Sequence, residues 1–432
     1  MKKLMLLLIS LTTLTAVVLR AQDISGHWEG TLEAGRGVNP FSGDRIFLHI
    51  SKTPNGAWKA ILYSFDHNGG HPFPAALIAS QGATLTFSAG KPPGSYTGKL
   101  NLDGNRITGA WTEDGIQRQL DFNRTLVVER VTRERLEQIL AADGGRPDGR
   151  VADQISGLEM TARLSTAALS PLESRLPGRR ARLALIALAD RSAFLDPPAD
   201  ELPAMPKPDT AAQRKMLLLA IDYVKKTMHQ LPNLFATRVT TSFQDNLWTR
   251  MKLKPTGKYS ATIRYRDGDE DIGFGLFATL APGLTTSGEF GPILGTAMLD
   301  AAQGNLTWSR WEQGEAGPEA VFRYTVTADK SHYVVDGEPC AYEGEISINP
   351  ETGTVRRVIL RGDMSPPSPY LIANIMVEYG PVELGGKTYI CPLRSVALSQ
   401  ELALGYLNDV SFEQYHLYHA TARLLPGDRV AR

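Results

Sequence analysis

From Asp23 to about Arg130, apolar and polar residues alternate in short runs broken by turn residues. The runs His27–Glu33, Arg45–Lys52, Trp58–Phe65, Ala75–Ala79, Thr84–Ser88, Tyr96–Leu102, Arg106–Thr112 and Gln117–Val127 read as eight strands. Pro54-Asn55-Gly56, Asn68-Gly69-Gly70, Asp103-Gly104-Asn105 and Asp114-Gly115 separate them as hairpin turns. Eight strands at this spacing predict an up-and-down barrel or a sandwich.

Beyond Val131 the period lengthens to that of a helix. Glu134–Ala142 is a short helical piece, and Ile155, Leu158 and Met160 suggest a second. Arg179–Phe194 carries a broad apolar stripe through Leu183, Leu185, Ile186, Leu188 and Ala189. Five prolines exclude helix over Asp196–Pro208; Asp209 then caps a long helix over Thr210–His229. From Leu231 strand patterns return at Phe235–Phe243, Tyr259–Tyr265, Ala320–Thr327, Ala341–Ile348, Val355–Gly362, Ile372–Tyr379, Lys387–Leu398 and Gln414–Leu425. A short helix is expected around Leu294–Ala302.

The fold class is therefore α+β and predominantly antiparallel. The expected organisation is an export signal over 1–21, a β-barrel over 22–130, a helical linker over 131–209, and an antiparallel domain with an N-terminal helix over 210–432. The first segment is read from Met1-Lys2-Lys3, the apolar run Leu4–Leu19 and the small Ala21, too short a run for a spanning helix. The protein is expected in the periplasm or outside the cell. Lys plus Arg equals Asp plus Glu at 46 each, so no net field favours nucleic acid or anionic lipid. No later stretch is apolar enough to span a bilayer. An oxidising compartment makes the only two cysteines, Cys340 and Cys391, candidates for a disulfide, with two buried thiols as the alternative.

Three resemblances follow from these residues. Gly26-His27-Trp28 opens the first strand and Arg124 ends the last, which resembles the lipocalin-like (calycin) pattern. That resemblance implies Trp28 stacked under a guanidinium across the barrel base. The helix leading through Leu231-Pro232-Asn233 into a meander resembles the LolA-like lipoprotein-localisation half-barrels. The meander includes Gly344–Ile348, the Pro350–Gly353 turn, Val355–Leu360 and the hairpin Gly385-Gly386-Lys387-Thr388-Tyr389. The mature chain also resembles a family of uncharacterised secreted proteins of environmental bacteria, from which no activity carries over. Ser192–Pro198, Leu231–Thr240, Thr285–Leu299 and Val377–Pro392 carry that likeness.

Candidate chemistry is sparse. Asp66-His67 and His71 sit on a glycine-rich loop without further ligands, and His416 and His419 point to opposite faces of a strand, so no metal site is expected. Asp267–Asp271 lacks the glycine and glutamate of an EF-hand and reads as a solvated hairpin tip. Ser287 and Cys391 have no readable activating context, and no Gly-x-Ser-x-Gly or Walker motif occurs. No cofactor and no catalytic residue are expected. Curved β-folds enclose apolar cavities between sheet and helix, with Phe235, Phe243, Phe274, Phe277, Trp308, Trp311, Phe322 and Tyr324 as candidate linings or ordinary core. The expected function is non-enzymatic binding of an apolar or lipid-like ligand in the cell envelope. An envelope scaffold engaging other proteins, or a hydrolase with a site assembled from distant residues, are the alternatives.

Overall fold

The computed structural model describes residues 23–32, 44–52, 57–64, 72–90, 93–125, 129–246, 251–273, 283–303, 305–364, 370–401 and 404–418. Two compact units divide the chain, Met1–Arg124 and Thr125–Arg432.

The first unit is a closed antiparallel barrel. Its strands are β1 (Gly26–Leu32), β2 (Asp44–Lys52), β3 (Trp58–Ser64), β4 (Pro72–Gln81), β5 (Thr84–Gly90), β6 (Pro93–Leu100), β7 (Arg106–Glu113), β8 (Ile116–Gln119) and β9 (Phe122–Arg124). β1 through β7 each pair with the next, and β9 pairs with both β7 and β1, closing the ring. β8 and β9 run along β7 in one register, Trp111 opposite Arg118 and Ile107 opposite Phe122, so together they form an interrupted eighth strand. Closure leaves no open edge between first and last strands. Trp28, Leu48, Leu62, Phe87, Tyr96, Ile107, Trp111 and Phe122 fill the interior. An eight-stranded barrel is only wide enough for such side chains or one small ligand. Gly98 and Gly109 face one another across β6 and β7 and leave the space the Tyr96 ring occupies.

The second unit begins with helices. A parallel pair, β10 (Glu129–Val131) and β11 (Leu158–Met160), joins α1 (Arg133–Ala142), α2 (Asp148–Ile155), α3 (Thr166–Glu173) and α4 (Arg179–Ser192) around a small core. Leu158 and Met160 lie on a strand rather than continuing the expected helix: α2 ends at Ile155, and pairing with β10 wins over the short apolar periodicity. Thr132 and Ser165 cap α1 and α3 with their own hydroxyls. Gly178 offers no side-chain cap to α4, and Asp148 supplies one from α2, accepting from the backbone nitrogens of Arg180 and Ala181 at 3.0 and 2.9 Å.

α5 (Thr210–Gln230) follows, with Asp209 accepting from Ala212 N at 2.7 Å as its cap. A ten-stranded, curved antiparallel sheet completes the unit. Its strands are β12 (Leu234–Asn246), β13 (Met251–Arg266), β14 (Asp269–Gly273), β15 (Asn305–Gly314), β16 (Gly317–Val326), β19 (Ala341–Ile348), β20 (Val355–Asp363), β21 (Tyr370–Leu384), β22 (Lys387–Glu401) and β23 (Leu404–Leu417). They lie in the order β14-β13-β12-β23-β22-β21-β20-β19-β16-β15. β17 (Val334–Val335) and β18 (Glu338–Pro339) form a separate hairpin, and α6 (Pro292–Gln303) precedes β15. β23 starts ten residues before the expected Gln414, and residues 419–432 lie outside the described set.

Side-chain alternation divides the sheet's two faces. Val358 and Leu360 of β20, Ile375 and Val377 of β21 and Ala397 of β22 pack with α5 and α6. The intervening Ile359, Met376 and Val396 pack with Ala187 of α4. Helices therefore cover both faces. No helix among the described residues is long and apolar enough to cross a membrane.

Candidate functional site: a two-lobed cleft beside α6

The sheet face under α5 and α6 is not wholly filled. Beyond the first turn of α6 lies a cleft of about 600 Å³. Its floor is Leu360, Ile375, Ala397 and Ser399 from β20, β21 and β22; Pro292, Ile293 and Thr296 of α6 form one wall. The opposite wall is the segment His332–Asp336, which enters the β17–β18 hairpin. That hairpin turns on Asp336 and Gly337, both at positive φ (53° and 85°), as a two-residue turn of this kind requires.

A fully buried carboxylate fixes the wall to the helix. Asp300 of α6 accepts from His332 N at 2.8 Å and from the Tyr342 hydroxyl at 2.8 Å, and its other oxygen lies 2.6 Å from His332 Nδ1. Tyr333 donates its hydroxyl to Ala373 O at 3.1 Å, tying the same wall to the floor. Burial holds the Tyr333, Tyr370 and Tyr406 hydroxyls above the ordinary phenol range. On the rim, burial first and the Asp336 carboxylate second raise Glu401 above the usual carboxylate range.

A second lobe of about 230 Å³ adjoins the first, and the two share Gly283–Thr286 and Tyr406 as a border. Its floor is β12, β13 and β23, where Ser242 stands opposite Asn408 and Thr240 opposite Tyr259. Asn408 accepts from the Ser242 hydroxyl at 2.8 Å and donates to Leu284 O at 2.7 Å, anchoring the bordering segment.

Arg238 lies in this lobe and is only 4% exposed. Its guanidinium donates to Thr286 O at 2.7 Å, to Thr286 Oγ1 at 2.6 Å and to Glu289 Oε1 at 3.1 Å. Glu289 is fully buried. Glu270 is close enough to Glu289 for burial first and that neighbouring charge second to raise it to about 7.

Most of the aromatics that were candidates for lining or for core lie in the core. Trp308, Trp311 and Phe322 pack edge-to-face on one another at 5.0 and 5.5 Å, in the core with α5 and α6. Tyr324 is buried there too, donating to Ile359 O at 3.1 Å. Phe243 borders the smaller lobe, but its side chain belongs to the cluster on the α4 face. Phe235 packs at a tilt against Tyr418, 5.1 Å away, and lines neither lobe. Phe274 and Phe277 lie outside the described residues, as do His67, His71 and His419. The aromatic side chains that do line the cleft are Tyr333, Tyr370, Tyr406 and Tyr259. Among the described residues no group of three or more His, Cys, Asp or Glu is placed to hold a metal.

Cys340 and Cys391 are free buried thiols and do not meet. Cys340 packs against Ala373, whereas Cys391 pairs with Gly380. Those partners are seven residues apart on β21, roughly 23 Å, far beyond the reach of a disulfide. The acidic run Asp267–Asp271 is the β13–β14 hairpin, turning on Asp267 and Gly268 at positive φ. Its alternation turns Glu270 inward toward Phe290 N, at 3.1 Å.

In the first unit Trp28 and Arg124 are directly opposed across β1 and β9. The guanidinium lies 4.3 Å from the Trp28 ring centroid and donates to Gly104 O and Asp23 O at 2.9 Å each, and to Ser25 O.

No family model matches the chain, and no curated protein matches its sequence. Among solved structures it is similar to an outer membrane lipoprotein-sorting protein domain from Vibrio parahaemolyticus, with a TM-score of 0.27, 10% identity, and coverage of 49% of this chain and 95% of that one. It is also similar to an outer membrane protein from Bacteroides fragilis, with a TM-score of 0.18, 7% identity, and coverage of 90% and 98%. The Pseudomonas aeruginosa MucA/MucB complex is similar over 49% of this chain and all of that one, with a TM-score of 0.18 and 11% identity. Likenesses this distant carry no functional argument; the geometry of the cleft does.

Proposed function

We propose that this protein is an exported, non-enzymatic binding protein that holds an amphipathic, lipid-like ligand in the cleft between its sheet and α6. The carrying observation is the volume of about 600 Å³ left unfilled on the sheet face under α5 and α6. Small-molecule sites commonly enclose about 300–1,000 Å³ with apolar walls and a few placed polar groups. This cleft lies in that volume range with a mixed lining, Leu284, Ile293, Leu360 and Ile375 beside Thr286, Asn374, Ser399, Asp336 and Glu401. The basic and apolar start of the chain, Met1–Ala21, supports export.

The test is native mass spectrometry of the purified full chain beside an organic extract, followed by titration with a single-chain amphiphile. A stoichiometric amphiphile adduct is expected, and Thr296→Trp, which places an indole at the cleft wall, should lower its affinity at least tenfold. An apo mass together with no uptake at millimolar amphiphile would defeat this reading.

A further inference from the structure

Resting on that reading, we infer that the smaller lobe receives the polar end of the ligand, and that this end is a neutral hydroxylated group of the glycerol or hexose kind. The first ground is the lining. Thr240 and Ser242 of β12, Tyr259 of β13, Tyr406 and Asn408 of β23, and Thr286 supply hydroxyl and amide groups to a volume of about 230 Å³. Such groups both donate and accept, and they match a group that does the same.

Charge is the second ground. Arg238 is the lobe's cation, but Glu289 already neutralises it. The adjoining lobe adds two carboxylates, Asp336 and Glu401, and no Lys or Arg. A carboxylate or phosphate entering here would meet more negative than positive charge in a partly dehydrated space. An ammonium group would find Glu289 held by Arg238 and Thr286, and Glu270 beside it engaged by Phe290 N.

The third ground is what Arg238 leaves unmade. Its Nε–H lacks a hydrogen-bond partner among the described residues, and buried donors seldom stay unpaired. A hydroxyl oxygen answers that donor without bringing a charge, and an ammonium cannot answer it.

Vicinal hydroxyls of this kind occur both on a lipid headgroup and on a free sugar. The full-length protein is therefore titrated by calorimetry with octyl glucoside, octanoate and octylammonium below their micellar concentrations, and with glucose. Octyl glucoside is expected to bind at least tenfold tighter than either charged amphiphile, and glucose more weakly than octyl glucoside. Thr240→Val should weaken octyl glucoside three- to tenfold and leave octanoate unchanged. Arg238→Met should weaken it further, read only where circular dichroism stays native; Thr240→Val keeps the test decisive if Arg238→Met does not fold. Equal or tighter binding of octanoate or octylammonium, or a Thr240→Val affinity equal to that of the parent protein, would overturn the inference and leave the cleft itself standing as a binding site. Glucose binding as tightly as octyl glucoside would keep the hydroxyl site and overturn the amphiphile. Binding of none of the four would overturn both.

Discussion

Arg124 illustrates how a single side chain can close a fold. Its three nitrogens satisfy three backbone carbonyls, and its flat face covers Trp28, which in turn donates to Ile24 O at 3.0 Å. Arg124→Ala should therefore destabilise the barrel by about 3 kcal/mol, read as a shift in urea midpoint at unchanged slope. Arg124→Lys keeps the charge but not the planar fork, and is expected to recover less than half of that loss. The resemblance to the lipocalin-like pattern implies this pair, from a Gly-X-Trp opening and an arginine at the end of the last strand. Arg238 was not legible in the sequence. Its position two residues from Ala236 on an inward-facing row marks a charge where an apolar side chain is expected, but its partners Thr286 and Glu289 lie about fifty residues away. Glu270 escaped notice for a related reason: within an acidic run, only strand alternation separates the one inward carboxylate from its solvated neighbours.

At the scale of elements, the β19–β20 hairpin meets α5 at close range. Asn349 Oδ1 accepts from the backbone nitrogens of Glu351 and Thr352, shaping the turn, and Gly353 follows at φ 72°. A Cβ there would lie 2.5 Å from Ala220 N on α5. Gly353→Ala is expected to cost about 3 kcal/mol or more, since the helix backbone must move as well as the turn. Gly386→Ala is the control: its φ is 78° but nothing lies within 4 Å, so only the left-handed conformation is penalised, at roughly 1 kcal/mol. Urea denaturation of both variants separates helix contact from backbone strain. Most elements were legible because their periods are long and capped. Their arrangement was less so. The apolar stripe of α4 spreads over two faces, one for the helical core and one for the sheet, and periodicity reports breadth without naming either partner. The aromatic rings of the second unit were candidates for a cavity lining and for ordinary core alike. In the fold those rings pack on one another, and the space that remains lies where Ala397, Ser399 and Thr296 are too small to fill it.

For the whole molecule, equal numbers of acids and bases conceal an uneven distribution of buried charge. On the α4 face Glu312 accepts from Arg163, Arg310 and Arg357 at 2.5 Å each, and Glu345 accepts from Arg310 at 2.7 Å and Arg323 at 2.9 Å. Burial works against ionising both carboxylates, but these guanidinium groups prevail and hold each at about 2. Their folded values lie below the unfolded value, so they stabilise the fold above about pH 4.5. That contribution is lost as the pH falls from about 4.5 toward 2, on the order of 3 kcal/mol for each carboxylate. Glu270 has the opposite sign. Raised to about 7, it binds a proton in the folded state that the unfolded chain has already released, so stability declines as the pH climbs from about 4.5 to 7. The second unit should accordingly be most stable near pH 5, with an acid limb set by the arginine network and a shallower decline toward neutrality. Thermal unfolding from pH 3 to 8 checks this. Glu270→Gln keeps an oxygen for Phe290 N and removes the titration, so it is expected to raise the melting temperature at pH 8 and leave it unchanged at pH 4. Glu312→Gln should lower it at pH 7 and flatten the acid limb. An identical pH profile in the Glu270→Gln protein would mean that the carboxylate is ionised at no cost, and that Arg238 serves both acids at once.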